Sequence, residues 1–276
     1  MTGTHAAQPD ERPAVVIDTS KPHPARMYDW FLGGKDNYPV DEEMARQLLT
    51  IDARGRDMAR VNRAFMHRAI RWLGSEAGVR QYLDIGTGIP TEPNLHQIAQ
   101  QVAADARIVY CDNDPIVLAH AEALLRSTPE GATSYIQADA RDPQLILERA
   151  GDVLDFSRPV ALSLLALLHF VDDEDGAYEL VGRLVDELAP GSYLVLSQVT
   201  GDFDPEGAAK ARAVYQGRGL TLRPRTRDEF AKFFDGLELV EPGVSLTAEW
   251  RPELGEAVPV AGDDPIPGYA AVARKP

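Results

Sequence analysis

The sequence is short of three things, and each shortage closes off a class of function. It holds one cysteine, Cys111. A lone thiol forms no internal disulfide and no cysteine-based metal cluster, and its place in an apolar run reads as a buried, inert side chain. No metal site is expected. Cations are scarce: 28 Lys and Arg stand against 43 Asp and Glu, for a net charge of −15. So acidic a surface repels phosphate backbones and anionic lipid, so neither nucleic acid nor a membrane is expected as a partner. Long hydrophobic runs are missing as well. None approaches the roughly 18 residues of a membrane span, and the N-terminus carries no charged-then-apolar leader. The expectation is a cytoplasmic protein. The composition says nothing of its oligomeric state.

What is present suits a folded core. The chain has 276 residues, 44% apolar and 26% charged, enough for one large domain or one domain with a cap. Residues 1–18 are polar and rich in Pro and Ala, and read as a flexible tail. Residues 19–75 read as a helical cap. A short helix over 26–32 is stopped by Gly33, and a second begins with Asp41 as its cap. A third spans 55–73, ends at Gly74, and buries Met58, Val61, Phe65, Met66, Ala69 and Trp72 at helical spacing.

From 76 to 276 the pattern alternates. Strands over 107–111, 134–137, 159–165 and 193–199 follow a first strand from Tyr82, with helical stretches between them. Strands apolar on both sides mean a parallel sheet covered on both faces, an α/β fold. Two late strands, over 237–240 and 269–272, have no helix between them and predict an antiparallel finish.

The chain is organised around Tyr82-Leu83-Asp84-Ile85-Gly86-Thr87-Gly88-Ile89-Pro90. A buried strand runs into a turn whose glycines let a ligand approach the backbone. In open α/β sheets ligands bind beyond the carboxyl ends of the strands, so those ends are read together. The first delivers Asp84, the second Asp112, the third Asp139 and the fourth His169. Asp112 follows Gly88 by 24 residues, close to the roughly 20 at which an acidic residue grips ribose hydroxyls. A nicotinamide fingerprint would want a third Gly or Ala near a pyrophosphate, where this chain has Pro90-Thr91. Asp84 would sit poorly beside phosphates but would suit an ammonium. A ligand with adenine, ribose and an amino-acid tail matches all three carboxylates: S-adenosylmethionine. An NAD(P)-dependent oxidoreductase and a cofactor-binding module without turnover remain as alternatives.

Over about 80–276 the sequence resembles the class I methyltransferases. Asp84-Ile85-Gly86-Thr87-Gly88 is similar to their first motif. The stretch from Leu167-Leu168-His169-Phe170 to Leu188-Ala189-Pro190-Gly191-Ser192-Tyr193 is similar to their fourth-strand, helix and fifth-strand segment, with Ser192 where a second glycine is usual. Ala25-Arg26-Met27-Tyr28-Asp29 and Leu32-Gly33-Gly34-Lys35-Asp36-Asn37-Tyr38-Pro39 resemble a narrower actinobacterial group of S-adenosylmethionine-dependent methyltransferases, long held as a domain of unknown function. The resemblance implies a Rossmann-like, mostly parallel seven-stranded sheet with an antiparallel last strand. It implies that Gly86, Thr87 and Gly88 form the turn under the cofactor. Asp84 would neighbour the methionine ammonium, Asp112 would accept from the ribose, and Asn113 would lie against adenine. Asp139 and the Ala140 amide would meet the adenine edge.

Other roles come from the residues themselves. His169 is the candidate general base, its ordinary pKa suiting the task. Arg63, beside Asn62, could reach the methionine carboxylate. The 28–38 stretch could be a lid, with Gly33 and Gly34 allowing close approach and Tyr28, Lys35, Asn37 and Tyr38 supplying contacts. The acceptor is expected to be a small molecule.

Overall fold

The computed structural model describes residues 17–124 and 126–276. The expected tail over 1–18 falls outside them but for its last two residues. Nine α-helices stand among the described residues: α1 (Pro24–Leu32), α2 (Pro39–Ile51), α3 (Gly55–Ser75), α4 (Leu95–Val102), α5 (Pro115–Leu124), α6 (Pro143–Ala150), α7 (Ala177–Asp186), α8 (Pro205–Gly217) and α9 (Arg227–Ala231). The strands are β1 (Gln81–Ile85), β2 (Arg107–Asp112), β3 (Ala132–Gln137), β4 (Ala161–Leu165), β5 (Tyr193–Val199), β6 (Glu238–Leu239), β7 (Ser245–Leu246) and β8 (Gly268–Arg274).

They form one eight-stranded sheet. Its order is β3-β2-β1-β4-β5-β8-β6, with β7 pairing on β8 as well. β1 to β5 run parallel, and β8 lies antiparallel against β5. The predicted seven strands become eight because the outer edge of β8 is shared. β6 pairs with its Ala273–Arg274 end and β7 with its Tyr269–Ala270 end. A two-residue strand has too little length to show a period.

Side chains alternate across each strand, and the two faces carry separate cores. Leu83, Ile85, Val109, Leu162, Leu164 and Leu196 pack beneath α6 and α7. Tyr82, Ile108, Tyr110, Ala161, Val195 and Val272 pack beneath α3, whose Phe65, Ala69, Ile70 and Leu73 are all fully buried. Each such large apolar side chain contributes roughly 1.5–3 kcal/mol. By the same alternation Asp84 points to the α3 face, in register with Ser163 of β4 and Tyr110 of β2.

Two local expectations change. Gly74 does not end the third helix, which continues to Ser75; a Cβ there would press on Val102 of α4 at 3.0 Å, so the glycine serves close helix packing. Asp41 is not the N-cap of α2. That position is Tyr38, and Asp41 lies three residues in, its carboxylate accepting from the Tyr38 and His23 amides. It thereby fastens the α2 start to the residue that caps α1.

Besides the apolar packing of α3, a buried ion pair ties α1 to the sheet layer. Arg26 of α1 donates from Nε and Nη2 to the Asp114 carboxylate at 2.8 and 3.1 Å, just past β2. Both residues are almost wholly buried. On the far side, Met27 and Met44 pack with Tyr215 of α8 and with Leu222.

Candidate active site

A cavity of about 610 Å³ opens at the carboxyl ends of the parallel strands, walled by those ends and by α1, α3 and α8. Asp84, Gly86, Thr87, Gly88, Asp112, Asn113, Asp139, Ala140 and Arg63 all line it, as does His169.

One end of the cavity is built from buried carboxylates. Asp84 accepts from Ser163 Oγ at 2.5 Å and from Thr87 Oγ1 at 2.9 Å. It has hydroxyl partners but no contacting cation. Burial raises its pKa above the usual carboxylate range, against the opposing pull of those hydrogen bonds and of the Arg63 charge. Asp112 accepts from the Gly88 and Asp114 amides at 2.8 and 3.0 Å. Its pKa is raised too, burial outweighing the two amides. Asp139 differs: Arg141 grips it from Nε and Nη2 at 3.0 and 2.7 Å, and that pairing holds its carboxyl below the usual range.

Between these carboxylates Gly88 turns with φ +69°, and a Cβ built there meets no atom within 4 Å. The space beside it is open, so a side chain would be both strained and intrusive. Buried carboxylates without a cation, hydroxyls holding their orientation and an open glycine turn form a cradle. It suits a ligand that brings its own positive charge and hydroxyl donors, and the residues fit an aminoacyl adenosine.

Arg63 reaches this end from α3, but its guanidinium already donates to the backbone carbonyls of Thr91 and Pro93. Asn62 and Tyr28 belong to a directional chain. The Ala166 amide and Asn62 Oδ1 flank Ser197 Oγ at 3.0 and 2.5 Å. Asn62 Nδ2 donates to the Tyr28 hydroxyl at 2.9 Å, which donates to Ala59 O at 3.0 Å. Ala166 leaves β4 with φ 51°, a left-handed conformation costing a non-glycine residue roughly 1–2 kcal/mol. Such strain persists where the surroundings over-determine it, here through the Ser197 backbone and side chain.

The expected lid residues part company. Tyr28 lines the cavity, whereas Gly33, Gly34, Lys35, Asn37 and Tyr38 are absent from its wall. That loop closes on Asp29 instead. The Gly34 amide donates to Asp29 O, and the Asp36 amide and Asn37 Nδ2 donate to its carboxylate. Tyr38 packs against Ile89, Ile116 and Val117, with the Arg26 guanidinium over its ring. Two neighbouring glycines signalled a turn, and the turn faces its own helix.

His169 sits on the 3₁₀ turn Leu168–Phe170. It is buried against Phe170, and its Nδ1 has no hydrogen-bond partner. Burial and the nearby Arg225 push its pKa down to about 3. The argument from an ordinary imidazole pKa therefore fails: at neutral pH the ring is uncharged and a weak base. Arg225 itself is fully buried and ties the turn down, donating to Leu168 O, Val171 O, Gln198 Oε1 and the Asp173 carboxylate. Sequence reading missed Arg225 and Ser163. Ser163 did leave a signal, as the one hydroxyl in an otherwise apolar strand.

This strand order, with its antiparallel β8 and a cavity at the β1–β3 ends, is the class I methyltransferase fold. A SAM-dependent methyltransferase from Anabaena variabilis shares it at a TM-score of 0.51 and 14% identity, over 96% of this chain and all of that one. The chain belongs to the S-adenosyl methyltransferase family, whose profile matches residues 10–276. It is similar to a DUF574 family protein from Streptomyces avermitilis, with 48% identity and a TM-score of 0.90, covering 95% of this chain and 100% of that one. It is also similar to a candidate methyltransferase from Thermobifida fusca, with 40% identity and a TM-score of 0.84 over 94% and 96% of the two chains. No protein of curated function matches it. By family, this is an S-adenosylmethionine-dependent methyltransferase. Among the described residues no helix is long and apolar enough to cross a membrane.

Proposed function

We propose that the protein transfers a methyl group in line from S-adenosylmethionine to a small-molecule acceptor held in the same cavity. The observation that carries this reading is the pair of buried, cation-free carboxylates Asp84 and Asp112 on either side of the open Gly88 turn. When bound, the donor supplies a methyl group already activated on a positively charged sulfur. Asp84 would hold the ammonium, its orientation set by Ser163 and Thr87. Asp112 would accept from the ribose hydroxyls, with Asn113 and Ala140 beside the base. Asp139 would offer the adenine amine what acceptor capacity Arg141 leaves free. Arg63 would face the carboxylate of the amino-acid tail.

Because the electrophile needs no further activation, the protein's part is orientation and exclusion of water. His169, pushed to about 3, would act as a neutral wall and hydrogen-bonding group at neutral pH, not as the proton acceptor. Calorimetry with S-adenosylhomocysteine and with NADH tests the reading. Saturable binding of S-adenosylhomocysteine and none of NADH is expected; the reverse overturns it.

A further inference from the structure

Building on the methyltransferase reading, we infer that the acceptor is an uncharged, largely apolar ring molecule carrying one hydroxyl or neutral amine. The end of the cavity away from the carboxylates is walled by Met27, Phe31, Leu48, Phe170, Tyr215 and Leu222, which pack as one apolar cluster. Two of its aromatic walls, Phe170 and Tyr215, stand 5.9 Å apart between ring centroids at a tilt of 35°. The two rings pack on one another, so a flat guest would lie against this aromatic wall and not between the rings.

The charged groups around the apolar end are largely engaged. Arg54 holds Asp52 at its rim through Nε and Nη2 at 2.9 and 2.8 Å. Asp204 caps α8 through the Gly207 amide at 2.9 Å. Arg63 is given to two carbonyls, and Arg141 to Asp139. The apolar cluster itself offers no counter-ion to a charged acceptor, and burying an unpaired charge is costly.

Among the neutral polar groups on the wall, the hydrogen-bonding capacity of the Tyr28–Asn62 pair can be counted. The Tyr28 hydroxyl spends its proton on Ala59 O and accepts from Asn62, leaving a lone pair. Asn62 Nδ2 spends one hydrogen on Tyr28 and keeps the other. Together they offer one acceptor and one donor, side by side. A hydroxyl or neutral amine satisfies both; a carboxylate or an ammonium satisfies only one.

Calorimetry on the full chain saturated with S-adenosylhomocysteine tests this, using 2-naphthol, naphthalene-2-carboxylate and 2-(aminomethyl)naphthalene as probes. At neutral pH 2-naphthol is expected to bind at least about tenfold tighter than either charged analogue. Ala211→Trp, which fills the apolar end from α8, should weaken 2-naphthol about tenfold or more and leave S-adenosylhomocysteine within about twofold. Tyr28→Phe, which removes the lone pair and little volume, should weaken 2-naphthol about fivefold; the S-adenosylhomocysteine titration reports folding of both variants. Equal binding of the charged probes, no binding of 2-naphthol, or indifference to both substitutions overturns the inference while the cofactor reading stands. Failure of S-adenosylhomocysteine to bind the unaltered protein removes the cofactor reading and this inference with it.

Discussion

The two ends of the cavity are made from different materials. The end beyond β1, β2 and β3 is backbone turns and carboxylates, each at or just past the end of a strand. The end roofed by α1, α2 and α8 is methionine, leucine and aromatic rings drawn from segments far apart in the chain. The first can be specific because fixed dipoles and charges select a ligand's functional groups. On the proposal made above, the second would select by shape and by refusing charge. A methyltransferase needs a donor site and an acceptor site, and the proposal assigns the first to the polar end and the second to the apolar end.

Three substitutions test this contrast. The largest effect is expected at the joint between the ends. Arg26→Ala leaves Asp114 buried without its partner, and breaking one side of a buried pair costs about 3–5 kcal/mol. Denaturant unfolding should show that loss; a loss under about 1 kcal/mol would mean that α1 is held by its apolar face alone. The same pair bears on removal of the residues before Pro39. Such a truncation would take Arg26 and the buried Met27 with it, so it should destabilise the sheet layer.

The next effect lies in the polar end. Asp112→Ala should weaken S-adenosylhomocysteine by at least about 1.5 kcal/mol, the low end for a hydrogen bond to a charged group. That is roughly tenfold in Kd, read by calorimetry. Unchanged affinity would remove Asp112 from the ribose.

The smallest is a pH effect at Asp84. Burial raises its pKa, so the free protein takes up a proton there above the usual carboxylate range. An ammonium favours the carboxylate, so binding expels that proton. Affinity for S-adenosylhomocysteine should fall as pH drops through the raised value and level off above it. Asp112 is raised as well and contributes with the same sign, so Asp84→Asn should flatten the profile in part. For stability the sign is opposite to the usual aspartate: the cost of burying the Asp84 charge is fully present above its folded pKa and is relieved on acidification. An unaltered binding profile in the variant would take the ammonium role from Asp84.

The polar end was legible in the sequence because its signals are local. Asp84, Gly86 and Gly88 lie within five residues, Asp112 follows an apolar run, and Asp139 comes two residues after the third strand. The parallel sheet and its antiparallel close were legible from continuous apolar runs and the missing last helix. The apolar end was not. Met27, Leu48, Tyr215 and Leu222 have the composition of any core, and only tertiary packing leaves space between them. The loop from Gly33 to Tyr38 carried turn residues that promised a lid, but which way a turn faces depends on a partner, here Asp29, that no spacing rule picks out. For His169 the position at the sheet edge was readable, while its depressed pKa arises from burial and from Arg225, 56 residues on.

The Arg26–Asp114 pair also bears on how the chain is made. Its members are 88 residues apart, so α1, synthesised first, can pack on α2 and α3 but finds no partner for Arg26 until β2 and the turn after it exist. Contacts of such long sequence separation form late, after the loop-closure entropy between them has been met. The opening helices must wait for the sheet with Arg26 unpaired and with Met27 still lacking Tyr215 and Leu222, and the last wall of the cavity closes only when its floor is complete.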